Sequence, residues 1–155
     1  MSNGIDPNFV GVHRTYYGSG ELRSEVFVNA GKKQGICKSY WDNGQLLTEV
    51  NYIDGLRQGI YKAYHDNGQL DEEVNYIDDK KNGIYKSYHR NGQLWVKVNY
   101  IDDKKNGVFK LYWDNARLRV EVNYIADKMN GIYKEYHQNG QLEEEINYID
   151  DIPKN

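Results

Sequence analysis

The chain carries one cysteine, two prolines and no run of eighteen apolar residues, and each scarcity excludes a class of protein. A solitary thiol, Cys37, cannot close an intrachain disulfide, which argues against a stapled secreted scaffold and for a reducing compartment. Without a long apolar run there is no candidate spanning helix, and the opening residues MSNGIDPNFVG lack the basic and apolar segments of a secretory signal. The protein is therefore expected to be soluble and intracellular, in the cytoplasm. An excess of one charge sign is also missing: the net charge is −3, with acids and bases interspersed throughout. This leaves no basic field for nucleic acid, and attachment to membrane lipid is disfavoured.

What is present is repetition. The 24-residue unit that reads GIYKSYHRNGQLWVKVNYIDDKKN from Gly83 to Asn106 recurs six times without insertion or deletion, starting at Gly11, Gly35, Gly59, Gly83, Gly107 and Gly131. A fixed period of this size means one supersecondary unit stacked on copies of itself. The chain divides into an N-terminal extension, 1–10, and repeats 11–34, 35–58, 59–82, 83–106, 107–130 and 131–154. Pro7 and Pro153 flank this array and none interrupts it, as a continuous sheet requires, because proline cannot donate to a ladder.

Within one unit, Gly83 to Tyr88 is a short β-type run, Asn91-Gly92 is a strong two-residue hairpin signal, and Gln93 to Ile101 alternates. Asp102 to Asn106 then forms a polar, looser turn leading to the next glycine. The expected fold is all-β: an elongated single-sheet solenoid of six stacked antiparallel hairpins. Two registers are open. If Asn-Gly alone makes a type I′ loop, Lys86 faces position 97, and Arg14, Lys38, Lys62, Lys110 and Lys134 face Glu25, Glu49, Glu73, Glu121 and Glu145 in a ladder of ion pairs. Tyr85, His89, Leu94, Val98 and Tyr100 then share the opposite face. If the loop takes three residues with a bulge, Ile84 and Tyr88 join Leu94, Val98 and Tyr100 instead. The first is preferred because it gives the repeated charges partners. The copy starting at Gly83 breaks the charge rule with Lys97 and places Trp95 near Tyr88, and the next copy strains its turn with Ala116 in place of glycine.

The chemistry-bearing residues fall in rows of like residues, which is the opposite of what a catalytic site needs. His65, His89 and His137 share one repeat position with Tyr17, Trp41 and Trp113. Neighbours in such a row stand about 10 Å apart, too far for a common metal centre. They and the lone His13 are read as structural, and Cys37 as filling the place of an aromatic. The paired aspartates of the later turns, Asp78-Asp79, Asp102-Asp103 and Asp150-Asp151, lack the spacing of a calcium loop and read as solvated turns. Serine is not kept at the position of Ser39 and Ser87, where Ala63, Leu111 and Glu135 also stand. No catalytic residue, metal site or cofactor is expected, and the protein is read as a non-enzyme. The tyrosine row Tyr16, Tyr40, Tyr64, Tyr88, Tyr112 and Tyr136 reads either as a stacking ladder between hairpins or as an exposed aromatic surface extended by Trp95 and Trp113. Tyr40, Tyr64, Tyr88, Trp95, Tyr112, Trp113 and Tyr136 are the candidate partner surface.

The run Tyr52-Ile-Asp-Gly55-Leu-Arg-Gln-Gly59-Ile-Tyr61, with the recurrent Tyr-x-x-Asn-Gly-Gln-Leu, resembles the MORN repeat, and more closely its variant form in bacterial and giant-virus proteins. A composition rich in Asn, Ile, Lys, Tyr and Asp also fits an AT-rich genome. A viral source would put the protein in host cytoplasm or virion. The resemblance spans about residues 11 to 152. It implies a twisted antiparallel sheet and roles in scaffolding, dimerisation and phospholipid contact; some bacterial relatives are labelled antitoxins. The chain departs from the repeat where Asp79, Asp103, Asp127 and Asp151 replace the glycine seen at Gly55, and its acidic balance weakens any carry-over of lipid binding. The expectation is a protein-interaction or self-assembly scaffold presenting an extended β surface, with a homodimer through a terminal edge strand as one form. The alternatives are an antitoxin or immunity protein that occludes a toxin, and a peripheral membrane module.

Overall fold

A computed structural model describes residues 5–154 as one open antiparallel sheet of 17 strands. The chain meanders, each long strand pairing antiparallel with the next long one. β1 (Gly11–Tyr16) and β2 (Leu22–Asn29) form the first hairpin, and β3 (Lys32–Tyr40) and β4 (Leu46–Ile53) the second. After each later hairpin a two-residue strand precedes the next long one, so β5 (Leu56–Arg57) leads to β6 (Gly59–Tyr64) and β7 (Leu70–Ile77). The unit repeats as β8 (Lys80–Lys81), β9 (Gly83–Tyr88) and β10 (Leu94–Ile101), then β11 (Lys104–Lys105), β12 (Gly107–Tyr112) and β13 (Leu118–Ile125). β14 (Lys128–Met129), β15 (Gly131–Tyr136), β16 (Leu142–Ile149) and β17 (Ile152–Lys154) close the array. Residues 1–4 of the N-terminal extension lie outside the described residues; of the rest, Phe9 accepts a backbone bond from Gly31 at 3.2 Å and packs edge-on against His13.

The two turns of each unit exchange the roles expected of them. At the Asn-Gly turn, Gly92 N–H donates to His89 C=O and His89 N–H to Gln93 C=O, both at 2.8 Å, so the loop is three residues, Arg90 to Gly92. Only Gly92 takes a positive φ, +81°, and the asparagine carboxamide accepts the Gln93 N–H at 3.0 Å. A bulge at Trp95 then restores the register, so that Tyr88 faces Leu94 but Lys86 faces Lys97. The first register was right about the charges and the second about the loop. Leu94 consequently sits with Tyr88, not with Val98. Ala116, at φ 63°, occupies the glycine place of this turn in the next copy, as the sequence foretold.

The tight two-residue turns are the acidic ones. Asp78 and Asp79 have φ of 49° and 68°, the left-handed pair that a type I′ turn demands, and Ile77 pairs directly with Lys80. Aspartate tolerates this conformation and adds something glycine cannot. The Asp79, Asp103, Asp127 and Asp151 carboxylates accept the backbone N–H of Arg57, Lys81, Lys105 and Met129 at 2.7–2.9 Å, while their own N–H groups donate back to the same residues' carbonyls. The second aspartate is therefore a link between successive turns rather than a solvated one. Where the short strand joins the long one, Gly83 and Gly107 take φ of 107° and 104°, which a side chain would strain.

Alternation along these strands separates two faces. One carries Tyr85, Ser87, Val96, Val98 and Tyr100; the other carries Ile84, Lys86, Tyr88, Lys97, Asn99 and Ile101. The core lies on the first, where Val26, Val50, Val74, Val98 and Val122 are at most 5% exposed. Ring pairs close over them edge to face: Tyr61–Tyr76 and Tyr85–Tyr100 at 6.0 Å, Phe109–Tyr124 at 5.9 Å and Tyr133–Tyr148 at 6.2 Å between centroids. The stacking role expected of the row from Tyr16 to Tyr136 belongs to this row instead. The accessible surface, 9536 Å², exceeds the roughly 8,100 Å² of a compact protein of this mass, because a single layer has no second layer to cover it.

Candidate functional site

Inside an edge row of Ile53, Ile77, Ile101, Ile125 and Ile149, 44–53% exposed, three further rows of side chains run along the isoleucine face. In the first of these, Val12, Ile36, Ile60, Ile84, Val108 and Ile132 are 48–61% exposed. The sequence reading overlooked this row, although the first register already put the residue after each repeat glycine on the charged side. The middle row runs Arg14, Glu25, Lys38, Glu49, Lys62, Glu73, Lys86, Lys97, Lys110, Glu121, Lys134, Glu145, one residue per long strand in direct cross-strand register. Its charges alternate except at Lys97. Within hairpins the ion pairs are Arg14–Glu25 and Lys38–Glu49 at 3.3 Å, Lys110–Glu121 at 2.8 Å and Lys134–Glu145 at 3.5 Å. Lys86, facing Lys97, turns back to Glu73 at 2.8 Å, which holds that carboxyl below the usual carboxylate range and the lysine above its own. The third row pairs Tyr40, Tyr64, Tyr88, Tyr112 and Tyr136 with Leu46, Leu70, Leu94, Leu118 and Leu142. The Tyr40 and Tyr88 hydroxyls donate to Glu25 and Glu73 at 3.3 and 3.4 Å.

Trp95 and Trp113 lie on the other face, so the seven candidate residues form no single surface. Trp95 packs on His89, with ring centroids 5.7 Å apart, rather than on Tyr88. Arg119, its equivalent one repeat on, covers the Trp113 ring at 4.3 Å and reaches Glu135 at 3.3 Å, a residue bonded in turn to Tyr133 of the valine face. The same pairing holds elsewhere: Arg23 over Tyr17, Asp71 beside His65 and Glu143 beside His137.

The ring position explains its own mixture of residues. Tyr17 O–H, Trp41 Nε1, His65 Nε2, His89 Nε2 and Trp113 Nε1 each meet the backbone carbonyl of the tyrosine 23 residues on, at 2.6–3.2 Å. Tyrosine, tryptophan and histidine are the ring side chains that carry a donor at their edge. Since a carbonyl only accepts, His65 and His89 hold a proton on Nε2, which is thereby occupied. Among the described residues no group of three metal-ligating side chains converges. Burial pushes the Tyr61 hydroxyl up to about 12, with Glu72 adding to it, and raises Tyr85 and Tyr133 as well. Burial likewise raises the Cys37 thiol, opposite Val50 in the aromatic's place.

Residues 9–30, 33–54, 57–78, 81–102 and 129–150 match the family model described as the MORN repeat variant. The chain belongs to the MORN repeat variant family. The copy between, which holds Ala116 and Ala126 at positive φ, is outside the matched segments. MORN repeats are associated with protein or membrane interactions. Comparison with curated proteins gives no match. Among solved structures, a mutant of S. aureus TarM in complex with fondaparinux, alpha-GlcNAc-glycerol and UDP is similar over 62% of this chain and 19% of its own, at 11% identity and TM-score 0.39. A GtfA/B complex bound to UDP and GlcNAc is similar over 76% of this chain and 24% of its own, at 17% identity and TM-score 0.27. The MORN-variant array thus spans about a quarter or less of either chain.

Proposed function

We propose that this chain is a non-enzymatic scaffold that binds proteins through the isoleucine face of its sheet. The observation that carries the reading is the exposed row from Val12 to Ile132, 48–61% accessible along the whole array and set beside a nearly neutral charge ladder. Isolated exposed apolar side chains need no explanation, but a regular row of them on a rigid sheet is a contact surface that is already formed before binding. The alternating charges favour a protein over an anionic membrane, which would call for a basic patch. The occluding-inhibitor reading has no feature of its own to support it.

The test is a pair of charge substitutions, Ile60→Asp with Ile84→Asp, compared with the wild type in crosslinking and co-purification from the native cell. Loss of specific crosslinks with an unchanged melting curve supports the reading. Retention of every crosslink overturns it.

Self-association is a second reading, favoured by two open strand edges. Among the described residues β1 pairs only with β2, and β16 is covered by β17 only over Asn147–Ile149, leaving Leu142–Ile146 unpaired on its outer side. Open ladders are templates for another chain. A homodimer through such an edge should persist in the Ile60→Asp, Ile84→Asp variant and vanish when proline replaces Glu145, whose N–H lies on the open side; a monomeric mass for the wild type at high concentration rules it out.

A further inference from the structure

We infer that Lys97 anchors a docking site for an extended segment of a protein partner that presents a carboxylate between two apolar side chains. This deepens the scaffold reading and rests on it. The middle row of the isoleucine face alternates in sign along the array, and Lys97 is the one residue that breaks the rule, placing Lys86, Lys97 and Lys110 side by side. The two flanking lysines are drawn away from it, Lys86 to Glu73 and Lys110 to Glu121, each at 2.8 Å. Lys97 itself is exposed and has no carboxylate partner among the described residues. One carboxylate brought from outside would restore the alternation that every other copy completes internally.

The neighbourhood specifies what flanks that carboxylate. Beside Lys97 along the strands lie Ile84 and Val108 on one side, 51% and 50% exposed, and Tyr88 and Tyr112 on the other. Side chains on one face of a strand repeat every two residues, about 6.8 Å, so the three rows have the spacing of positions i−2, i and i+2 of any extended chain laid along the strands. A segment of the pattern apolar, any, acidic, any, apolar would set its outer side chains on the isoleucine and tyrosine rows while its acid meets Lys97. An ammonium flanked by apolar surface discriminates against an uncharged or basic residue at that place, because the mismatch leaves a charge covered and unpaired.

The experiment is selection of a displayed random peptide library on the full chain, repeated on Lys97→Glu. That variant carries the residue found at this place in the other copies, Glu25, Glu49, Glu73, Glu121 and Glu145, so the fold tolerates it. The expected result is enrichment of the apolar–acidic–apolar pattern on the wild type, with binding about tenfold or more weaker on Lys97→Glu and on replacement of the peptide acid by its amide. Peptides without an acid, or equal binding by both chains, overturn the inference. If such peptides are instead lost on Ile60→Asp, Ile84→Asp, the scaffold reading stands without the Lys97 site; if no peptide binds either face, both fall. A concentration-dependent dimer of the chain alone that disappears in Lys97→Glu would assign the site to a second copy and overturn a foreign partner.

Discussion

Val98 is 1% exposed and Ile84 is 51% exposed, although both are β-branched apolar residues on the paired strands of one hairpin. The difference lies in what their neighbours can reach. On the valine face Tyr85 and Tyr100 lean together over Val98, and Lys81 lays its ammonium 4.8 Å and 5.3 Å from their ring centres. Large rings from adjacent strands can close over a small residue between them. On the isoleucine face the residue paired with Ile84 is Asn99, and the next in line are Lys86, drawn away to Glu73, and the exposed Lys97. Nothing there is long and apolar enough to fold back. A single-layer sheet therefore makes its core from aromatic side chains on one side, and the other side stays available to a partner.

Four measurements would break or sharpen this contrast. The largest effect belongs to alkali. A tyrosine raised by burial contributes stability that is present below its unfolded value near 10 and lost as pH climbs through the folded value, which for Tyr61 is about 12. With Tyr85 and Tyr133 raised in the same sense, the valine face should come apart cooperatively above pH 10, as followed by circular dichroism, while neutral and mildly acidic pH leave it intact. Val98→Ala comes next, costing about 2 kcal/mol in urea unfolding, against a change within about 0.5 kcal/mol for Ile84→Ala. Equal costs would mean the two faces are not core and surface. Trp113→Phe keeps the ring but removes the donor to the Tyr136 carbonyl, so it should cost about 1 kcal/mol, which a histidine at the same place should largely restore.

Ser87→Ala runs the other way. Thr15 and Ser24, and Ser39 and Thr48, join hydroxyl to hydroxyl across their hairpins, but Ser87 faces Val96 and its buried Oγ has no hydrogen-bond partner among the described residues. Alanine already fills the equivalent place at Ala63, so the substitution should raise the midpoint of urea unfolding, with a gain in unfolding free energy under about 1 kcal/mol. A fall in the midpoint would show that the hydroxyl is satisfied.

The grouping of Tyr85, Val98 and Tyr100 against Lys86 and Lys97 belonged to the preferred of the two registers: side-chain period in a strand is two, but the loop sets which faces of the paired strands coincide. The turns themselves were not legible. Asn91-Gly92 reads as a two-residue turn by composition, and Asp102-Asp103 as a loose polar one, yet the chain loops at the first with three residues and closes tightly at the second. Dipeptide preferences describe a turn in isolation. They omit the bond from Asp103 to the Lys81 N–H of the preceding repeat and the bulge at Trp95. The same omission misplaced Trp95 beside Tyr88 and grouped the tyrosine row with the tryptophans. The ring-to-carbonyl link from His89 to Tyr112 was equally hidden, since its partner is a main-chain atom with no signature in the sequence.

By itself the sequence determined the repeat length, the number of copies and the antiparallel meander, because each follows from period and local chemistry, while it left the pairing of lysine with glutamate as the preferred of two registers. Only the tertiary structure decided which register formed, which face became the core and which residues linked one repeat to the next. Those depend on contacts between units 22 to 24 residues apart, as between Arg57 and Asp79 or Arg90 and Asp66, where geometry rather than residue type selects the partner.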